Sequence, residues 1–288
     1  DRGGTPPHCA FGVVHDNRLG YPNPTVPSRL QATPVGDPAT HSGGDYLTFN
    51  LDTGDGDKIT GLASHKGELI IFKGPNIGKI FRLTGRTAAT YSLVPFLTTD
   101  GRSPGIPCVA HNSLVRFGDD LAWASPIGIH SLSATAAYGD YREAYMTAPI
   151  RSAWRDLARS RDKYIWGVNH AGFGLCIWGV TPSGATTNTQ WFVMDYRFQP
   201  PRWTLANATA SASLCIRQNS SGNRRLFSGG YSGYVLECDQ SNRNFENSAY
   251  TYTVHTPHMH LGEPDRLKAG KKFRLSFVPK GSYDLTVV

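Results

Sequence analysis

The chain has 288 residues, enough for one large or two medium domains with a sizeable core. With 31 glycines, 19 prolines, 11% aromatic and only 18% charged residues, it suits an all-β chain with many turns and speaks against a helical one. The formal charge of +7 is spread along the chain with no basic run longer than two, which argues against a dedicated nucleic-acid-binding segment, and no apolar run approaches a membrane-spanning length.

In chain order, "CAFGVVHDNRLGYP" (9–22) and "SRLQAT" (28–33) read as two strands of a first, partial blade. "LDTGDGDKI" (51–59) is an Asp/Gly turn leading into a strand at Ile59. "GELIIFKGPNIGKIFRL" (67–83) predicts two strands joined by a turn, and "DLAWASPIGIHSL" (120–132) repeats that design. "TAPIRSAWRDLARSRDKY" breaks the pattern: Ile150, Trp154 and Leu157 fall at i, i+4 and i+7 behind Pro149, which predicts a short amphipathic helix over 149–160. Arg151, Arg155 and Arg159 form a second stripe on it, expected to be a solvated face or an inter-subunit contact in preference to a DNA-binding helix. "QWFVMDYRFQPPRWTLA" (190–206) is a strand ending at Asp195, a Pro-Pro turn and a strand opened by Trp203. "VLECDQSNRNF" ends likewise at Asp239 and resumes at Phe245. "TYTVHTPHMH" and "KKFRLSFVPKGSYDLTVV" predict late strands that close a ring or form an appended β module.

Two of these segments, 67–83 and 120–132, share one plan with "GLCIWGVTPSGATTNTQWFVMDY" and "RLFSGGYSGYVLECD": apolar β-formers, a turn with glycine, then a second β-forming run. Their opening leucines, Leu69, Leu121, Leu175 and Leu226, are spaced by 52, 54 and 51 residues, and Gly78, Gly128, Gly184 and Gly233 mark the turns. A period near fifty built of short strands is a propeller-blade period, because a small sheet covers both its faces only by stacking on copies of itself. The expected fold is therefore an all-β propeller over 1–245, with one inserted helix near 149–160 and C-terminal strands over 246–288.

Motifs that would carry chemistry mostly fail on spacing. Gly74 and Gly78 enclose one residue too few for a phosphate loop, Ile80 stands where a hydroxyl is required after Lys79, and a strand follows instead of a helix. Asp52, Asp55 and Asp57 are oxygen-rich enough to suggest calcium, but the EF-hand spacing and closing glutamate are missing. His258 and His260 would share a strand face with His255 nearby, a conceivable metal cluster disturbed by Pro257. No nucleophile elbow or carboxylate pair stands out, so no catalytic, cofactor-binding or metal residue is assigned and no enzymatic activity or cofactor is expected. Trp123, Trp166, Trp178, Trp191 and Trp203 could stack on sugars, though each sits in a strand pattern where core packing is the commoner use. The five cysteines, at 9, 108, 176, 215 and 238, contain no C-x-x-C pair and read as buried free thiols of a reducing compartment.

"DKITGLASHKGELIIFKGPNIGKIFRLTG" resembles a stretch of the virion propeller proteins of tailed bacteriophages, in which an ITGL-type strand precedes a G-x-L-[IV]-[IV]-F-K strand. "HDNRLGYPNPTVPSRLQATPVGDP" is similar to the opening strand pair of those proteins, with Gly20 where they carry an aromatic. "SLVRFGDDLAWASPIGIHSLS" is similar to their next blade, "TAPIRSAWRDLAR" to the helix after it, and "VHTPHMHLGEPDRLKAGKKFRLSF" to their late strands. The resemblance implies a structural tail or neck component (tail tube, nozzle or connector) that assembles in the host cytoplasm into a ring with copies of itself and other virion proteins. It implies no catalytic residues, no membrane insertion and only passing, sequence-independent contact with genomic DNA. A DNA channel should avoid dense positive charge, so the basic residues are expected mainly at subunit contacts. The alternatives are a carbohydrate-binding or glycan-cleaving propeller and a protein-binding scaffold propeller.

Overall fold

A computed structural model describes residues 8–52, 54–99, 101–138, 146–207, 210–218 and 221–238. The chain divides into two compact units, Asp1–Arg243 and Asn244–Val288, and the described residues all belong to the first. Asp239, Phe245, the histidines at 255, 258 and 260 and the C-terminal strands fall outside the described residues.

The described residues form five consecutive antiparallel sheets in which spatial order equals chain order. The first contains β1 (Val13–His15), β2 (Arg18–Pro22), β3 (Arg29–Ala32) and β4 (Leu47–Asn50). The second contains β5 (Lys58–His65), β6 (Glu68–Gly74), β7 (Ile80–Thr84) and β8 (Ser92–Pro95). The third has three strands, β9 (Val115–Phe117), β10 (Asp120–Ala124) and β11 (Ile129–Ser131). The fourth contains β12 (Trp166–His170), β13 (Leu175–Val180), β14 (Gln190–Asp195) and β15 (Arg202–Asn207). The fifth contains β16 (Ser211–Gln218), β17 (Arg224–Gly230) and β18 (Val235–Glu237). First strands run beside first strands: β1 with β5, β9 with β12, and β12 with β16. A 3-10 turn at His111–Ser113 touches both β5 and β12. This is the blade arrangement of a β-propeller, as the fifty-residue period predicts.

The period has a structural cause. Leu69, Leu121, Leu175 and Leu226 each lie on the second strand of a blade, and Gly78, Gly128, Gly184 and Gly233 each lie in the turn between second and third strands. Leu19, on β2, extends the leucine series by one blade. The first blade is complete rather than partial. The run read as one strand over 9–22 is a hairpin that folds at Asp16-Asn17, both with positive φ (47° and 57°), as a two-residue turn of the type I′ hand requires.

The core sits in the seams between blades. On β6, Ile70 and Phe72 pack with Leu121 and Trp123 of the next blade, whereas Leu69 and Ile71 pack with Leu30 of the previous one. Strand alternation sends successive side chains to opposite faces, and both faces are covered, so the strand reads as an unbroken apolar run. Trp178, Phe192 and Met194 meet Ala122, Ala124 and Ile129 in the seam of blades three and four, and Trp166 and Ile177 meet Leu226 in the following one.

The predicted helix over 149–160 is shorter. After α1 (Leu132–Tyr138), residues 148–150 form a 3-10 turn, α2 spans only Arg151–Arg155, and a second 3-10 segment covers Arg159–Tyr164. Helical bonding stops because the loop after β13 competes for the backbone: Ser183 N–H donates to Asp156 O (2.9 Å) and Ala158 N–H donates to Thr181 O (2.9 Å). Ile150, Trp154 and Leu157 are buried as predicted, and they wedge into the core shared by blades three and four.

Candidate functional site

The glycine loop between β6 and β7 does cradle an anion, and the anion is the protein's own. The Asp57 carboxylate accepts hydrogen bonds from the backbone N–H groups of Asn76 (2.7 Å), Ile77 (2.7 Å) and Gly78 (2.9 Å). Successive amides converging on one oxyanion are the feature that phosphate loops use. Gly78 is held at φ +74°, and a Cβ there would lie 2.3 Å from Pro107 N, so the position requires glycine.

The neighbouring acidic loop holds cations of its own. Lys73, fully buried on β6, donates from Nζ to Leu51 O (2.7 Å), Asp52 O (2.9 Å) and Asp55 Oδ1 (2.6 Å). Lys79, just before β7, reaches Asp52 Oδ2 at 2.6 Å and Asp55 Oδ2 at 3.5 Å. Burial alone would raise the Asp55 carboxyl, but the Lys73 hydrogen bond, the Asp57 amide and the two ammonium charges outweigh it and hold it below its ordinary value. The three carboxylates considered for calcium thus do not converge: Asp57 serves the loop amides, while Asp52 and Asp55 serve lysines. Among the described residues no group of three or more His, Cys, Asp or Glu side chains is placed to hold a metal ion.

The tryptophans considered as a sugar platform belong to the seams. Trp123 and Trp178 are fully buried and Trp166 nearly so. Four of the five indole N–H groups act between blades and loops: Trp178 donates to Ser113 O (3.0 Å), Trp166 to Ser211 O (3.1 Å), Trp191 to Ser211 Oγ (3.1 Å) and Trp203 to Met146 O (3.0 Å). Gly179, facing Trp166, has no room for a Cβ, which would lie 2.0 Å from the indole.

A set of residues not evident from the sequence joins the first strands. His15 Nδ1 lies 2.9 Å from Ser64 Oγ, Arg116 Nη1 donates to Ser64 O (2.9 Å), Asn169 Nδ2 donates to Arg116 O (2.8 Å), and Tyr196 OH donates to Asn169 Oδ1 (3.2 Å). One line of polar contacts therefore runs across four blades at the hairpin end of their first strands. The signal was positional: each residue sits at or next to the start of its hairpin turn, but His, Ser, Arg and Asn share no chemistry that a repeat search would register. Near the line, burial lowers the pKa of His15, opposed by Asp16, and burial with the Lys66 charge lowers that of His65. His111 stacks on Phe11 (4.4 Å), accepts from Leu62 N–H at Nδ1 (3.3 Å) and is likewise lowered by burial. At the same end, a cleft between the first hairpins of blades four and five is lined by His170, Phe173, Asn223, Arg224 and Arg225.

Cys108 and Cys176 are buried as expected, and burial pushes the Cys108 thiol up to about 12. Cys215 is exposed, and Cys9 and Cys238 are half-buried, so the expectation of uniformly buried thiols is corrected: β16 turns Cys215 away from the seam that holds Leu214 and Ile216.

The blades, their seams and the internal pairing of their acidic loops define a β-propeller. No protein-family model matches the chain, and no curated protein matches it. Among solved structures it is similar to BBS1N in complex with ARL6DN, soaked with mercury, with a TM-score of 0.42 and 12% identity over 79% of this chain and 62% of that one. It is also similar to the same complex soaked with lead, with a TM-score of 0.41 and 12% identity over 76% and 58% of the respective chains. The chain thus spans less than two thirds of the length of either.

Proposed function

We propose that the chain is a structural component of a bacteriophage tail or neck, assembling with copies of itself and other virion proteins around the genome-delivery channel. The observation that carries the reading is the way the phage-like stretches fall on the blades. The ITGL stretch is β5, the "GELIIFK" stretch opens β6, "LVRFGDDLAWAS" is the β9–β10 hairpin, and "TAPIRSAWRDL" is the helical wedge after the third blade. A resemblance that follows blade boundaries in order is what shared architecture requires. The polar chemistry is consistent with a scaffold: Asp57, Asp55, Asp52 and Asp45 are each bound by loop amides or by a lysine or arginine. An assembly surface has material to draw on in Ile77 and Ile127, exposed at the tips of the turns between second and third strands, and in Tyr231 and Tyr234 at the equivalent turn of blade five.

The test is mass spectrometry and a low-resolution map of native particles that contain this chain. A fixed stoichiometry with other virion proteins and a ring in the tail or neck support the proposal. Recovery of the chain only outside particles, or a clear glycan-array hit, overturns it.

A further inference from the structure

We infer that the basic connector over 151–164 is a contact surface for the phosphate backbone of nucleic acid. These fourteen residues contain Arg151, Arg155, Arg159, Arg161 and Lys163 against only Asp156 and Asp162. Sequence order hides the concentration, since the cations are never adjacent; the fold brings two of them, Arg161 and Lys163, to one aromatic ring. Its backbone is pinned over the second-to-third-strand end of blade four by Ala158 N–H to Thr181 O (2.9 Å), Ser183 N–H to Asp156 O (2.9 Å) and Asn188 Nδ2 to Tyr164 O (2.8 Å). Arg151, Arg155, Arg159 and Lys163 are exposed. The Asp162 carboxylate turns inward, with 15% of its side chain exposed, and lies 3.5 Å from Arg159. Asp156 is exposed, so the outward charge is four cations against one carboxylate and remains positive.

Tyr164 organises two of the cations. Its exposed ring carries the Arg161 guanidinium at 3.8 Å and the Lys163 ammonium at 5.0 Å from its centroid. The ring quadrupole attracts both charges and fixes them on one short segment in spite of their mutual repulsion. With its ring occupied in this way, Tyr164 does not present the bare aromatic anchor that centres a protein–protein hot spot. What the surface offers is a fixed group of cations, and a chain of phosphates with releasable counterions answers it with one charge per about 1.7 Å of duplex. Such contacts read no sequence; they position a backbone.

The test is fluorescence anisotropy of the full chain with a labelled DNA duplex of arbitrary sequence, titrated over a range of salt. Wild type is expected to bind with a steep salt dependence. The triple variant Arg155→Glu/Arg161→Glu/Lys163→Glu is expected to bind at least about tenfold more weakly, with the log–log salt slope reduced by about 3, as three lost phosphate contacts dictate. Lys66→Glu/Arg86→Glu/Arg224→Glu makes the same charge change on exposed residues at the hairpin end and is expected to retain most of the affinity. The exposed-site variant Arg155→Gln/Lys163→Gln guards against misfolding and should show an intermediate loss with an unchanged circular dichroism spectrum. Absence of salt-dependent binding by wild type, or equal losses in the two triple variants, overturns the proposal. So does capture of an acidic protein that depends on the connector while DNA binding does not. Binding by the isolated chain neither needs nor implies a place in a virion, so failure here leaves the assembly proposal to its own test.

Discussion

The indole N–H of Trp178 donates to the carbonyl of Ser113 at 3.0 Å, joining residues 65 positions apart across the seam of the third and fourth blades. The ring fills the seam while its one donor satisfies a carbonyl that packing would otherwise strand. Trp178→Phe keeps most of the apolar fill and removes the donor, so it should cost about 1–3 kcal/mol. Trp178→Ala should cost about 3–5 kcal/mol, because it also opens a cavity. Urea unfolding of both variants checks this, and a Trp178→Phe loss near zero would mean that the hydrogen bond contributes nothing.

Lys73 and Asp55 form a pair with almost no solvent contact, their side chains 0% and 7% exposed. Lys73→Met should destabilise by about 3–5 kcal/mol, since it leaves a buried carboxylate without its main partner, and adding Asp55→Asn should recover part of the loss. The carboxyl is held below its ordinary value in the fold. Its contribution is therefore complete above about pH 4, the unfolded range, and declines as pH falls through the lower folded-state value. A Lys73→Met loss below about 1 kcal/mol in a denaturant titration would contradict the assignment.

His130 adds a loss of the same sign over a higher pH range. It is fully buried, with Nε2 2.9 Å from Ser125 Oγ, and burial lowers its pKa to about 3. The unfolded chain takes up this proton near pH 6.5 and the folded chain does not, so stability should fall as pH drops from about 6.5 toward 3. The slope from this one group approaches about 1.4 kcal/mol per pH unit. Comparing unfolding midpoints at pH 7 and pH 5, His130→Gln should show a smaller drop than wild type; an identical drop rules the group out.

Thiol accessibility should separate the cysteines. Cys215 should react with a maleimide in the folded protein, whereas Cys108 and Cys176 should react only after denaturation. Peptide mapping after a short labelling pulse checks this, and native-state labelling of Cys176 would contradict the seam described around it.

Much of the architecture was legible in the sequence because blade packing repeats the same apolar demand at each second strand, from Leu69 to Leu226. The first blade was under-read because Asp16-Asn17 makes a two-residue turn with no glycine to announce it, while the equivalent Lys66-Gly67 has one. The helix was over-read: the spacing of Ile150, Trp154 and Leu157 correctly marks a buried face, but spacing does not reveal that the loop after β13 competes for the backbone at Asp156 and Ala158. The polar line through His15, Ser64, Arg116 and Asn169 was invisible for another reason. Blade symmetry fixes a position there, and four different side chains meet its hydrogen-bonding requirement.

Lys73 Nζ gathers two backbone carbonyls and one carboxylate oxygen of the acidic loop, and it is covalently part of the chain. A tethered ammonium cannot be stripped by a chelator or exchanged for a competing ion. The turn before β5 should keep its shape whatever the free calcium, so this blade carries its own mineral-independent clasp.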